Sequence, residues 1–364
     1  MIKIKIFQKI LIAVLIISAF ISMTLLPEIA SSGVISGMKF CAEILIPSIF
    51  PFIIFSSWIV NSGLSAQLGK IFSKICKFLF YLPGSAAPVI MLSFLGGYPA
   101  GAKGISDLFE NNLISQEQSC RMAQFAFGAG PAFIISVIGN IFLKDKFIAK
   151  QIFLSQILSS ILIGIFLGIY SRNKNKEFFS NQAKSIVPEI QNALIKSCES
   201  AAQVTINMCA FVIFFSVLIS FINKFNIYEL LSQINFSKNF WEALITPILE
   251  VTQGCNVITK NLGAIPALFS FMVGFGGFCV HCQIFSILNK IKISYLSFLI
   301  VRIFHGLTSA LITTLLTCNL KTNVSAPFEF QFVPEMSTHI FGSISIFLCC
   351  IYLLLTKLHQ RSNS

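Results

Sequence analysis

The chain has 364 residues, 55% of them hydrophobic and only 11% charged, against about a quarter charged in soluble domains. Its mean hydropathy is +0.83 and its formal charge +12. This composition excludes a soluble globular enzyme. The basic residues lie scattered in short loops, never gathered with aromatics on one face, which excludes nucleic acid as a partner and fits the positive-inside rule.

Apolar runs of about 20 residues, the length that crosses a bilayer core, recur at 7–26, 40–60, 122–143, 147–170, 201–222, 264–288, 293–318 and 339–355. The first follows Lys3, Lys5 and Lys9. It is long for a signal peptide and meets no small-x-small cleavage site before Pro27, so it reads as a retained membrane helix. Residues 27–37 carry no Lys or Arg and read as an outer loop. With the N-terminus inside, fifteen loop Lys and Arg fall on the cytoplasmic side and six outside. The turn holding Lys144, Lys146 and Lys150 runs against this bias. Both termini are then expected in the cytoplasm.

Two segments do not read as simple spans. Residues 83–114 hold Pro83, Gly84, Pro88, Gly96, Gly97, Pro99, Gly101 and Gly104, with Lys103 and Asp107; residues 241–262 hold Pro247, Glu250, Gly254 and Lys260. From Pro83 to Gly96 a helix would reach roughly 20 Å, short of a core of roughly 30 Å. Each segment predicts a re-entrant hairpin, two half-helices meeting at a break near Gly96–Pro99 and near Thr252–Gly254. Such backbone survives at depth only when buried in protein or lining an aqueous cavity.

The second half echoes the first. Lys39-Phe-Cys41 returns as Lys196-Ser-Cys198, Gly97 with Lys103 as Gly254 with Lys260, and Gly128-Ala-Gly130-Pro-Ala-Phe133 as Gly274-Phe-Gly276-Gly-Phe-Cys279. Matches in one order point to an internal repeat. Three crossings separate Lys39 from Lys196, and an odd number inverts the second copy, the construction of many secondary transporters. The fold class expected is an all-α polytopic membrane protein with about eight transmembrane helices plus two re-entrant hairpins in an inverted repeat.

The segments Leu45-Ile-Pro-Ser-Ile-Phe-Pro-Phe52, Gly96-Gly-Tyr-Pro-Ala-Gly-Ala-Lys103, Gly128-Ala-Gly-Pro131, Glu250-Val-Thr-Gln-Gly254 and Gly274-Phe-Gly-Gly-Phe-Cys-Val-His281 resemble the YlbJ-type sporulation integral membrane proteins. That family carries the nucleoside-recognition "Gate" domain, shared with concentrative nucleoside transporters and the membrane part of ferrous-iron transport proteins. The resemblance covers roughly residues 40–355. It implies a bacterial plasma-membrane protein linked to spore formation, with a transporter-like fold and no substrate named. The domains expected are 1–37, a membrane helix and outer loop; 38–170, a first Gate-like repeat; 171–194, a cytoplasmic linker; 195–318, the inverted second repeat; and 319–364, an outer loop, a last helix and a basic tail.

Candidate solute-binding residues cluster at the breaks: Gly96, Gly97, Tyr98, Pro99, Lys103, Gly128 and Gly130 in the first half, and Glu250, Thr252, Gln253, Gly254, Asn256, Gly274, Gly276 and His281 in the second. Glycine admits close approach and positive φ, and exposed half-helix ends hold ions and anionic groups. Close packing of small residues is the plainer use of the same glycines. Intramembrane charge marks function by default; Glu43, Asp107, Lys260, Arg302 and His305 join the candidates on that ground. Lys103 and Asp107, one turn apart, can also neutralise each other. Glu43 and Arg302, near span ends, can snorkel or pair.

Eleven cysteines sit mostly inside apolar runs, where the thiol packs as a small hydrophobe. Cys279-Val-His281-Cys282 has no second ligand pair at zinc spacing, so no metal and no cofactor is expected. The reading leaves room for a coupling ion, proton or sodium, and for a homo-oligomer. There is no Walker motif, HExxH or GxSxG, which argues against ATP hydrolysis and intramembrane enzymology. Two functions remain: a secondary-type transporter of a small polar or anionic solute, a nucleoside-like one included, linked to sporulation as the resemblance implies, or a non-transporting scaffold for spore envelope and cortex assembly.

Overall fold

The computed structural model describes residues 2–174, 190–234 and 236–318. The last apolar run, the basic tail and most of the linker read above lie outside the described residues. Every regular element among those described is helical, and five stretches are long and apolar enough to cross a bilayer: Pro27–Asn61, Lys146–Asn173, Gln191–Lys224, Pro266–Ile287 and Tyr295–Thr317. The protein is a polytopic membrane protein.

Helix α1 (Ile2–Leu25) is followed at once by α2 (Pro27–Phe40). The expectation of a loop at 27–37 is therefore corrected. Pro27 opens a helix, where its missing N–H is no loss. Gly33 and Gly37 let α2 lie against Val217 and Ile213, since a Cβ on either would come within 2.8 Å of those Cα atoms. The chain continues through a π-turn (Cys41–Leu45) into α3 (Ile46–Asn61). Pro47 cannot donate to the carbonyl of Glu43, and the Ile46 N–H bonds Cys41 O instead.

Helix α4 (Leu64–Phe80) exposes Leu68, Ile71, Ile75 and Phe78 together with Lys70, Lys74 and Lys77. An apolar face beside lysines suits the bilayer surface. Helix α5 (Ala86–Glu110) is broken at Gly97, whose φ is 78° and ψ −172°. Its halves fold back on each other. A Cβ on Gly101 would come 2.8 Å from Ser93 Cβ, and one on Gly104 would come 2.6 Å from Val89 Cγ1. The first hairpin is thus a pair of half-helices zipped by glycine.

Helix α6 (Gln116–Phe125) opens on a capping box of Ser115 and Gln118. It ends before Gly128-Ala-Gly-Pro131, and a π-helix (Ala132–Leu143) follows. The run at 122–143, read as one span, is two short pieces with a non-helical middle. Asp145 caps α7 (Lys146–Asn173).

The second half runs through α8 (Ile190–Lys224), α9 (Ile227–Ser232), α10 (Lys238–Leu249), α11 (Val251–Leu262), α12 (Pro266–Phe275), α13 (Gly277–Ile287) and α14 (Tyr295–Thr317). Helices α10 and α11 form the second hairpin, closed at its open end by Asn261 Nδ2 donating to Asn239 O and Glu242 Oε2. Its turn is at Glu250, with extended backbone, and not at Thr252–Gly254 as the repeat alignment had it. Gly254 lies inside α11, its absent Cβ 2.3 Å from Pro247 Cα; it plays the part of Gly101, not of Gly97. We expect Gly254→Ala to force the hairpin open and lower stability by about 1–3 kcal/mol. An unchanged denaturation midpoint in detergent would contradict this packing.

The order of elements is the same in both halves: long helix, short helix, hairpin, broken helix, long helix. Equivalent long helices pair antiparallel. Asn61 donates to Ser197 while Gly33 meets Val217, and in α7 and α14 Gln156 donates to Ser309 while Ser160 bonds His305. Each hairpin packs against the broken helix of the other half, α5 on α13 and α11 on the π-helix.

Candidate functional site

The breaks converge. Gly97 sits against the 126–131 segment, where a Cβ on Gly97 would be 3.2 Å from Gly130 N and 3.7 Å from Gly128 O. Gly130 in turn has Leu95 O 3.0 Å from its Cβ position. Tyr98, the first residue past the break, is buried and sends its hydroxyl to Val273 O. It thereby ties the first hairpin to the end of α12. Pro99 follows in the first turn of the half-helix, where it breaks no hydrogen bond. At the far side, Gly276 and Gly277 have φ of 91° and 71°. A Cβ on Gly277 would be 3.1 Å from Pro247 O and 3.3 Å from Ile248 O, so the start of α13 abuts the second hairpin's turn.

At the centre lies Arg302 of α14. Its side chain is fully buried. Its guanidinium donates to Gly274 O, to Phe127 O at 3.3 Å and to Phe275 O at 3.5 Å, and stacks over the Tyr98 ring at 5.5 Å. Gly274 and Phe275 carry orphan carbonyls of the last turn of α12, the negative end of its dipole. Among the described residues no carboxylate pairs with Arg302. Its charge is met by partial charges alone.

Two histidines complete the same carbonyls. His305 Nδ1 lies 3.1 Å from Gly274 O, and its Nε2 2.9 Å from Ser160 Oγ. His281 Nε2 lies 2.9 Å from Phe275 O, and the ring stands edge-on to Phe275, Phe278, Tyr295 and Phe298. The buried Nδ1 of His281 has no hydrogen-bond partner. One more feature is space. Gly128 is buried, yet a Cβ built on it would meet nothing within 4 Å.

A search of curated proteins matches the sporulation integral membrane protein YlbJ of Bacillus subtilis (strain 168), 23% identical over 337 residues, covering 84% of this chain and 82% of that protein. This chain is thus similar to a sporulation integral membrane protein over most of both lengths. No family model and no solved structure matches it.

The residues singled out from sequence divide by position. Gly97, Tyr98, Gly128, Gly130, Gly276 and His281 meet around Arg302. Gly96 and Gly274 serve close packing instead: a Cβ would come 2.6 Å from Phe52 Cβ in one case and 2.7 Å from Gly306 Cα in the other. Gly274 contributes its carbonyl to the site but lies within α12, not in the break. Lys103 forms a buried ion pair with Asp107, so its charge is matched within its own helix. Glu250 makes no contact with Lys260, which is exposed. Its two carboxylate oxygens accept from the N–H groups of Thr252 (3.0 Å) and Gln253 (2.8 Å), capping α11. Gln253 Nε2 reaches Ser216 Oγ at 2.9 Å and fastens the hairpin to α8. Asn256 is half-buried further along α11.

Arg302 and His305, candidates from sequence only as intramembrane charges, stand at the centre of the site. Arg302 does not snorkel. The signal available was an Arg and a His three residues apart in an otherwise apolar span, which puts both on one helix face.

Proposed function

We propose that this protein is a secondary-type transporter of a small anionic solute, recognised at Arg302 where the breaks of both halves meet. The observation that carries the reading is a fully buried guanidinium with no carboxylate partner among the described residues, beside open space at Gly128. The half-helices beginning at Tyr98 and Gly277 start at this centre, and helix N-termini favour an anion. The repeated element order with antiparallel equivalent helices supports an inverted repeat, in which one half rocks against the other about a fixed site. The solute class is a carboxylate or phosphomonoester. In this reading Glu250 holds the second hairpin's turn, and the solute's charge is met by Arg302 rather than Lys103. The relative's name ties it to sporulation, and we carry that setting, with a bacterial plasma membrane, to this chain.

A thermal-shift panel of small carboxylates and phosphomonoesters, followed by counterflow in proteoliposomes, tests the proposal. If no member stabilises the protein or crosses the membrane, a non-transporting scaffold in spore envelope assembly becomes the better account. The space at Gly128 makes a sharper test. Gly128→Ala should keep the wild-type response, since its methyl meets no atom within 4 Å. Gly128→Phe should fill that space and remove the anion-dependent shift while the protein still inserts. An unaltered response in Gly128→Phe would place the solute elsewhere.

A further inference from the structure

The outer face of the Pro27–Asn61 span carries charge where lipid should be. That stretch and α8 have 35 residues each. They are paired antiparallel at their midpoints, with Gly37 against Ile213 and Cys41 against the carbonyl of Cys209. Two helices that cross one bilayer and pair at their midpoints place those midpoints near its midplane. Glu43 and Asn207 lie at that level. Lys39, Glu43 and Gln203 are nevertheless exposed, as are Ser32, Ser36 and Ala42 on the same helix as Glu43. Gln203 and Asn207 hydrogen-bond each other at 3.1 Å. Glu43 and Lys39 engage no partner among the described residues, although they are one turn apart. Lysine N-terminal to glutamate is the weaker order for an intrahelical pair, and Glu43 itself lies inside the π-turn Cys41–Leu45, which shifts it from regular helical register with Lys39. A charge facing lipid at the bilayer centre is heavily disfavoured, so this face is covered.

We infer that this face is the contact between two copies of the chain, with Lys39 of each copy paired to Glu43 of the other. The patch is self-complementary, as a twofold interface requires: one cation and one anion, a turn apart, cancel against the same pair in a second copy. Ser32, Ser36 and Ala42 allow close helix approach, and Gln203 adds a polar group at the same level. The apolar run at 339–355 contains no Asp, Glu, Lys or Arg and cannot match both charges.

The test is crosslinking of the full-length chain in native membranes, in a background with its own cysteines replaced. Ala42→Cys, a small change on the exposed face, should give a covalent dimer on mild oxidation, whereas Leu162→Cys on the exposed face of α7 should not. Adding Lys39→Glu should cut the dimer yield roughly tenfold by setting like charges together, and adding Lys39→Glu with Glu43→Lys should restore it. Three results would overturn the inference: no dimer although the thiol introduced by Ala42→Cys reacts with a membrane-permeant maleimide; crosslinking of position 42 only to cysteines placed in 339–355 of the same chain; or a dimer yield indifferent to the charge reversals.

Discussion

Replacing Arg302 with leucine should leave a folded, membrane-inserted protein that has lost its response to small anions. The change removes a desolvated charge, which favours the variant, and leaves Phe127 O without its donor, which disfavours it. Gly274 O and Phe275 O keep His305 and His281. The two effects oppose each other, and net stability should move by no more than about 2 kcal/mol. Binding is different. An anion held against this buried guanidinium loses the full countercharge that it faces, and affinity should fall about 100-fold or more. Arg302→Lys should fall between, because an ammonium keeps the charge but cannot fork to carbonyls of two separate segments. Thermal melts with and without the best-stabilising carboxylate or phosphomonoester measure both quantities at once. An Arg302→Leu protein with wild-type anion affinity would remove the basis for the proposed function. A protein that does not fold would make Arg302 a structural clamp.

The second large effect is expected at Glu250. The residue is 5% exposed and caps α11 through both carboxylate oxygens. In Glu250→Ala two part-buried N–H groups lose their acceptors, and the cap is lost with them. The cost should be about 2–4 kcal/mol, enough to loosen the hairpin turn that Gly277 packs against. Glu250→Gln keeps one amide oxygen as acceptor and should lose roughly half as much. Melting temperatures of the three proteins in one detergent order the series. Equal melting of Glu250→Gln and wild type, with transport lost only in the variant, would instead point to the carboxylate's charge as the functional property.

Neither residue's role could be read from its neighbours in the chain. Glu250 precedes a Thr-Gln-Gly run that looks like a glycine break, yet the break falls on Glu250 itself. Its carboxylate caps α11, and Gly254 is required four residues later for packing against Pro247. A glycine at a turn and a glycine at a helix contact look the same in sequence, because both answer to the absence of a side chain. Lys103 and Asp107 were legible as an i,i+4 pair, and they form one. For Arg302 the composition of its helix announced an anomaly, while depth was hidden: distance from the span end suggested snorkelling, and three carbonyls from two other segments hold it at the centre.

What the sequence determined by itself was the environment and the local grammar. Apolar length placed the chain in a bilayer, where backbone groups must be satisfied within helices, and Gly97, Gly128-Ala-Gly-Pro131 and Gly276-Gly277 marked where those helices break. Local conformation follows from residues a few positions apart, so local signals suffice for it. Only the tertiary structure decided which breaks meet, that residues 27–37 are helix rather than loop, and that Arg302 lies among Phe127, Gly274 and Phe275. Those outcomes depend on packing between segments as distant as α2 and α8, where Gly33 and Gly37 matter only because Val217 and Ile213 lie opposite. Long-range pairing of this kind is set by shape and charge complementarity in three dimensions, which a one-dimensional pattern does not carry.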